Sequence, residues 1–265
     1  MLRTSRAQLD ELLGALGVAP GATVMLHSAL FSLGLIEGGI SGFYRAVRER
    51  LGPTGTLIVP TFTYSFRRQE VFDVRATPAA RNIGVFSEFV RTQPDAVRLP
   101  DPLFSMAAVG ARAAALMQRP GVACFGPGSP YGALFDADVR FVAIGITYST
   151  GLAGFMHLER LANVPYRVDL PLHGLTRHLD GRELPDQAVH YARREDIYGN
   201  TLTDREPMGA LLETRGVSTA VTYGHGRHLS LSGHGWREVV LTELAMDPFA
   251  MLDPRQYPGG VIPGR

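Results

Sequence analysis

A single cysteine, Cys124, leaves the chain without an internal disulfide and fits a reducing compartment. No apolar run reaches the roughly 18 residues that a membrane-spanning helix needs. An excess of one charge is missing too. The formal net charge is +1 and Lys/Arg blocks are absent, which argues against nucleic acid as the main partner. The opening residues, Met1 to Leu13, are amphipathic and lack the apolar centre of a signal peptide. Together these absences lead us to expect a soluble, cytoplasmic protein. Several catalytic signatures are absent as well: H-E-x-x-H, the G-x-S-x-G elbow, the Walker loop and G-x-G-x-x-G. The charged fraction of 19% is too small for disorder, and 45% hydrophobic residues can fill a sizeable core.

What is present reads as α/β. Residues 4 to 17 predict a helix, with Thr4 or Ser5 as N-cap and Gly17 as its stop. Thr23 to Ser28 is continuously apolar in its middle, as expected of a strand covered on both faces. A glycine-bearing loop, a helix from about Ile40 to Leu51 and a second buried strand, Thr56 to Pro60, complete a βαβ unit with a parallel pair. Residues 67 to 82 are polar and irregular, a length uncommon in a compact domain unless functional. Leu103 to Gly110 and Val139 to Gly145 are further strand candidates, with Ala111 to Gln118 and Gly132 to Asp136 as helices. Beyond Arg167 the pattern becomes an antiparallel excursion, followed by a helix over 206 to 215 and hairpin-like glycine pairs at 224–228 and 232–235. The ordered chain is expected to end near Pro254. One domain over 1–265 accommodates this, with a core of about 4–170, a C-terminal lobe of about 171–254 and a Pro/Gly tail.

The chemistry gathers around Phe155 to Arg167. Phe155, Leu158, Leu161 and Ala162 keep helical spacing, and Pro165 ends the helix. His157 therefore sits near the start of a helix that follows a strand through a loop, where open α/β sheets place ligands. It is either a locally bonded histidine or a general base aimed into a cleft. The loop holding Gly34, Gly38 and Gly39 offers main-chain N–H groups at a helix start, suited to a phosphate or to a plain turn. Thr61 to Phe66 leaves its strand carrying hydroxyls and aromatics. Phe125 to Tyr131 holds Ser129 and Tyr131 on a proline-stiffened turn, compatible with a clamp for an amide-rich arm. His225, His228 and His234 lie close together, but no Cys or carboxylate completes a tetrahedral zinc set, so no metal is expected. Ser129 precedes Pro130, which lacks the N–H that an oxyanion hole needs. Asp101 with Glu159 leaves a glycosidase pair formally open, and Cys124 reads as a small buried hydrophobe.

Taken in order, the segments His27-Ser-Ala-Leu30 with Gly34 and Gly38-Gly39, Gly55 to Thr63, Phe72-Asp73, Thr77-Pro78, Asp101 to Ser105 with Gly110, Phe125 to Tyr131 and His157 to Arg167 resemble the aminoglycoside 3-N-acetyltransferase (antibiotic N-acetyltransferase) family. The resemblance covers roughly residues 5 to 170. It implies a three-layer α/β/α fold distinct from GNAT enzymes, acetyl-CoA as cofactor, and a small-molecule amine as acceptor. No nucleic acid or membrane partner is implied, and a homodimer stays open. His157, Glu159 and Asp101 are the implied catalytic residues, with His157 as base in direct transfer. His27, Ser28, Ala29, Leu30, Gly34, Leu35, Gly38, Gly39, Thr61, Phe62, Ser105, Phe125, Ser129 and Tyr131 are implied to hold CoA, and Tyr64, Asp101 and Arg167 the acceptor. Resistance enzymes of the family usually carry His-Pro where this chain has Asp101-Pro102. Aspartate there is more similar to members found with surface-sugar and secondary-metabolite biosynthesis, so antibiotic resistance and amino-sugar biosynthesis both remain as roles. The family's helix places its His three residues before Glu and nine before Pro, whereas His157 stands two before Glu159 and eight before Pro165. Counting back without a gap puts Met156 in that place. Successive helical residues diverge by about 100°, so one of the two faces the cleft; His157 is the expectation.

Overall fold

The computed structural model describes residues 2–199 and 203–265. The chain opens with β1 (Arg3–Thr4), α1 (Arg6–Ala15), β2 (Thr23–Ser28), β3 (Leu35–Ile36), α2 (Gly39–Leu51) and β4 (Thr56–Pro60). It continues through β5 (Phe72–Asp73), α3 (Val85–Arg91), β6 (Val97–Arg98), β7 (Met106–Gly110), α4 (Ala113–Leu116), α5 (Pro130–Asp136) and β8 (Arg140–Ile144). After α6 (Gly154–Leu161) come β9 (Arg167–Arg177), β10 (Glu183–Arg193), α7 (Glu195–Tyr198), α8 (Glu206–Thr214), β11 (Ser218–Tyr223), β12 (Gly226–Ser232) and α9 (Gly233–Met246). Ser5 caps α1 in a reciprocal box with Gln8, and Gly17 leaves it at φ 73°, as the sequence predicts.

Seven strands form the central sheet in the order β11-β12-β8-β2-β4-β7-β6. β8, β2 and β4 are parallel, and the outer strands join antiparallel. Strand residues alternate between faces, which divides each apolar run between two cores. Val24, Leu26, Leu57, Val59, Val142 and Ile144 meet α1, α2 and α3 through Leu9, Leu13, Phe43, Val47, Phe86 and Val90. Met25, Ile58, Phe141, Ala143, Leu229 and Leu231 meet α5, α6 and α9 through Leu134, Phe155, Leu158, Trp236 and Val240. The result is an α/β/α sandwich of three layers. The antiparallel excursion is the β9–β10 hairpin, in register from Arg167 opposite Arg193 to Arg177 opposite Glu183.

The C-terminal half departs from expectation. Ser232 to Gly235 is no hairpin: Ser232 Oγ accepts the Gly235 N–H and caps the 14-residue helix α9. Trp236, Val239, Val240 and Leu244 of that helix are buried at helical spacing, a period that Gly233 and Gly235 obscure at its start. β12 pairs with β8 along His228 to Ser232, so β11 and β12 complete the central sheet, while β9 and β10 form a three-stranded sheet with β5. The ordered chain also continues past Pro254, because Ile262 is only 1% exposed within the second core. Among the described residues, no helix is long and apolar enough to cross a membrane.

The packing of α6 is tight at its first residue. A Cβ on Gly154 would lie 2.5 Å from Trp236, whose indole is wedged among Phe135, Phe141 and Phe155. We therefore expect Gly154→Ala to lose about 1–3 kcal/mol, read as a lower denaturation midpoint. An unchanged midpoint would show that α6 is not seated as described.

Candidate active site

β4 follows β2 on one side of it, and β8 lies on the other, so the connections diverge at the carboxyl end of β2. A cavity of about 620 Å³ opens there. His27 and Ser28, the last residues of β2, and Pro60, the last of β4, form its floor, with Ala29, Leu30 and Phe31 beside them. Phe62, Tyr64 and Phe104 form one wall, and Asn82 to Phe86 another. Ile146, Gly151, Leu152, Ala153 and Met156 come from the approach to α6 and its first turn, and Arg205 enters from the segment before α8.

His27 is 3% exposed, and neither ring nitrogen has a hydrogen-bond partner among the described residues. Burial lowers its pKa from 6.5 to about 4, so the ring is neutral at physiological pH. The Ser28 hydroxyl beside it also has no partner among those residues. Tyr64 adopts a left-handed backbone at φ 55°, a strained conformation for a non-glycine residue. Burial raises its phenol pKa, so the hydroxyl stays protonated.

The rotation of α6 overturns the expectation for His157. Met156 lines the cavity, and the His157 ring turns into the interior. Its Nδ1 accepts the Gly126 N–H at 3.1 Å, and the ring stacks on Phe135 at 4.9 Å between centroids. With Nδ1 accepting, the neutral ring carries its proton on Nε2. Burial, with Arg237 adding to it, lowers the His157 pKa to about 4.

Glu159 points away from both histidines. It is fully buried; Arg167 Nε lies 2.7 Å from Oε2, an Arg205 Nη lies 3.3 Å from both oxygens, and the Tyr166 hydroxyl donates at 3.2 Å. Burial opposes its ionisation, but the two guanidiniums hold its pKa below the ordinary range. Arg167 is engaged by this carboxylate and by the Tyr191 carbonyl, and does not line the cavity. Asp101 is a turn cap. Its Oδ1 accepts the N–H groups of Leu103 and Phe104 at 2.9 and 2.7 Å, and Arg119 lies 3.6 Å from Oδ2. It reaches neither His157 nor the cavity, and no glycosidase pair forms with Glu159.

Of the residues expected to hold CoA, His27, Ser28, Ala29, Leu30 and Phe62 line the cavity, as does Tyr64 from the acceptor set. Gly34, Leu35, Gly38 and Gly39 do not. Leu35 pairs with Arg3 across β1 and β3, and a Cβ on Gly34 would meet the Leu2 carbonyl at 2.5 Å, so this loop anchors the N-terminal segment. Thr61 and Ser105 share a buried hydroxyl contact at 3.2 Å, with Arg98 bonded to the Ser105 hydroxyl and the Thr61 carbonyl. They frame the exit from β4. Phe125 packs between Phe104 and Tyr131 in the core, and Ser129 Oγ caps α5 through the Gly132 N–H. None of Phe125, Ser129 and Tyr131 lines the cavity. His228 Nδ1 accepts the Gly145 N–H, and His234 lies exposed near Asp138.

Sequence reasoning missed Asn82 to Phe86, Ile146, Leu152, Ala153 and Arg205. The long polar loop over 67–82 hinted at the first group. Arg205 gave no signal, since only tertiary packing carries it to the cavity.

The profile of the family described as aminoglycoside 3-N-acetyltransferase matches residues 25–239. Aminoglycoside N(3)-acetyltransferase IV of Salmonella sp is 32% identical over 165 residues, covering 62% of this chain and 61% of the relative. Aminoglycoside N(3)-acetyltransferase VII of Streptomyces paromomycinus is 32% identical over 179 residues, 61% of this chain and 62% of its own. The chain thus matches somewhat less than two thirds of these relatives' length. The solved fold extends further. The AAC(3)-IVa apoenzyme superposes with a TM-score of 0.79 at 24% identity, covering 97% of this chain and 94% of that one. AAC-IIIb, solved as a binary with CoASH, gives 0.79 at 23% identity over 92% and 97%. Since the matching profile runs from β2 to α9 and so takes in both walls of the cavity, the chain belongs to the aminoglycoside 3-N-acetyltransferase family.

Proposed function

We propose that the protein is a CoA-dependent N-acyltransferase, with acetyl as the simplest acyl group. Its acceptor is a primary amine of a small metabolite, the class that includes aminoglycosides and amino sugars. The observation that carries this reading is the cavity at the carboxyl ends of β2 and β4, apolar along its walls, with the buried neutral His27 in its lining. Apolar walls suit a pantetheine arm, and a solved relative was obtained with CoASH. His27 replaces His157 as the proposed base, because it is the histidine whose ring nitrogens are free beside the cavity.

In this scheme an unprotonated amine attacks the thioester carbonyl directly, and a C–N bond forms. Tyr64 lines the cavity, and its hydroxyl, kept protonated by burial, can donate to the developing oxyanion. A base with pKa about 4 is too weak to deprotonate a free ammonium. It can take the proton from the attacking nitrogen once bond formation has made that N–H acidic. The C–S bond then breaks, and the imidazolium returns the proton to the departing thiolate. Cys124 supplies no covalent alternative, since burial raises its thiol well above the ordinary range. The competing reading is a CoA-binding homologue without transfer, favoured by the thioether of Met156 standing in the cavity.

Thiol release from acetyl-CoA with a panel of amines separates the two readings. Transfer predicts release that falls about 10²- to 10⁴-fold in His27→Ala, whereas CoA binding without release from any amine would favour the second. Because His27 stays neutral until the pH approaches 4, kcat/KM is expected to rise with the acceptor's own deprotonation and show no limb near 6.5. His157→Gln tests the opposite assignment. Its native pKa near 4 lies below the unfolded value of 6.5, so the unfolded chain binds the extra proton between them and stability falls as pH drops through that window. The full shift amounts to roughly 3 kcal/mol. We expect His157→Gln to flatten that slope in acid denaturation while keeping turnover, and a collapse of kcat in a folded variant would restore His157 as base.

A further inference from the structure

Tyr64 and Phe104 stand side by side on one cavity wall, although they come from distant parts of the chain. Their rings meet edge to face at 5.9 Å between centroids, and Phe62 packs edge-on against Phe104 at 5.4 Å. Local preference does not hold Tyr64 in place, since its left-handed backbone (φ 55°, ψ 27°) is strained. Tertiary contacts have to keep it there, and they come from the turn over Pro102 and Leu103. The Leu103 carbonyl accepts the N–H groups of Thr63 and Tyr64 at 3.1 and 3.3 Å. The Pro102 carbonyl accepts the Ser65 N–H at 2.9 Å and the Thr63 hydroxyl at 2.8 Å.

That turn is itself set by one side chain. Asp101 Oδ1 accepts the N–H groups of Leu103 and Phe104, so one carboxylate fixes both the carbonyls that brace Tyr64 and the backbone that carries the Phe104 ring. Asp101 is 1% exposed, and Arg119 Nε lies 3.6 Å from its Oδ2. Arg119 reaches on to Asp186 of β10 at 2.7 Å, which ties the turn to the β9–β10 hairpin. The Tyr64 segment rests on the same hairpin, where a Cβ on Gly174 of β9 would lie 2.7 Å from the Phe66 ring. A buried ion pair is weak evidence for stability, and its best-attested use is to select one geometry.

We infer that Asp101 is a positioning residue for the reaction: it touches no reactant, but its carboxylate sets the turn that holds the Tyr64 phenol and the Phe104 ring against the cavity. This rests on the transferase reading, in which the Tyr64 hydroxyl donates to the oxyanion. Asp101 then acts on turnover through Tyr64, because the hydrogen bond it places is made in the transition state and not with the bound thioester.

Thiol release from acetyl-CoA by the full-length protein tests this. Asp101→Ala is expected to lower kcat by about 10-fold or more while KM for acetyl-CoA changes by less than about 3-fold. In a Tyr64→Phe background, itself down about 10²-fold, the same substitution is expected to cost almost nothing further. Asp101→Asn keeps an oxygen that accepts both N–H groups and is expected to hold kcat near that of the unsubstituted protein. Additive losses, a matching rise in KM, or an Asp101→Asn variant as slow as Asp101→Ala would overturn the assignment. Should Asp101→Ala fail to fold, Thr63→Val removes one bond between the turn and the Tyr64 segment. No loss of kcat in that variant, or an equal loss with and without the Tyr64 hydroxyl, overturns it too. A second measurement needs no turnover. In fluorotyrosine-labelled protein the Tyr64 fluorine resonance, assigned by its disappearance in Tyr64→Phe, is expected to move in Asp101→Ala and return in Asp101→Asn. A Tyr64 signal unmoved in the folded variant, or a shift of all the tyrosines alike, would leave Asp101 with a merely structural role. If no amine gives thiol release, the transferase reading fails while the fluorine signal still decides what Asp101 holds.

Discussion

The hydrogen bond from the Gly126 amide to Nδ1 of His157 sets the rotation of α6, and the chemistry of the cavity follows from that rotation. It ties the helix to the turn before α5, while Gly154 lets the same helix lie against Trp236. With both contacts made, the residue at 156 faces the cavity and the one at 157 faces the core. Neighbouring positions on a helix cannot share a direction, so a one-residue difference in register exchanges an imidazole for a thioether. The His157 ring accepts a main-chain N–H and stacks on Phe135, so its Nδ1 satisfies a buried polar group.

That exchange changes what the rest of the cavity must do. His27, at the end of a strand covered on both faces, becomes the imidazole within the cavity. Strand ends are rigid, so the ring is well placed, but the same burial that fixes it makes it a weak base. Glu159, two residues past His157 and so on another side of the helix, is committed to Arg167 and Arg205 and hydrogen-bonds to neither histidine. Its function is to hold two guanidiniums in the interior, one of which borders the cavity.

Elements with strong local rules were legible in the sequence. The capping box at Ser5, the buried strands at Thr23 to Ser28 and Thr56 to Pro60, and the parallel pairing between them follow from cap chemistry and apolar runs. Helix α9 was not legible, since Ser232-Gly-His-Gly235 has the composition of a turn and only packing around Trp236 makes it helical. The glycine loop at Gly34 to Gly39 was open to two readings for a related reason. Backbone freedom identifies a place of close approach, but not whether a ligand or another stretch of chain makes that approach; here it is the carbonyl of Leu2.

By itself the sequence determined the α/β class and the family, and it singled out the strand end at His27 to Leu30, which lines the cavity, because those depend on short-range patterns and ordered motifs. It also narrowed the helix question to Met156 or His157. Tertiary structure alone chose between them, brought Arg205 to the cavity, and returned the C-terminal strands to the central sheet. Each of those outcomes is set by contacts between residues far apart in the chain, where the direction of a side chain depends on what packs against it.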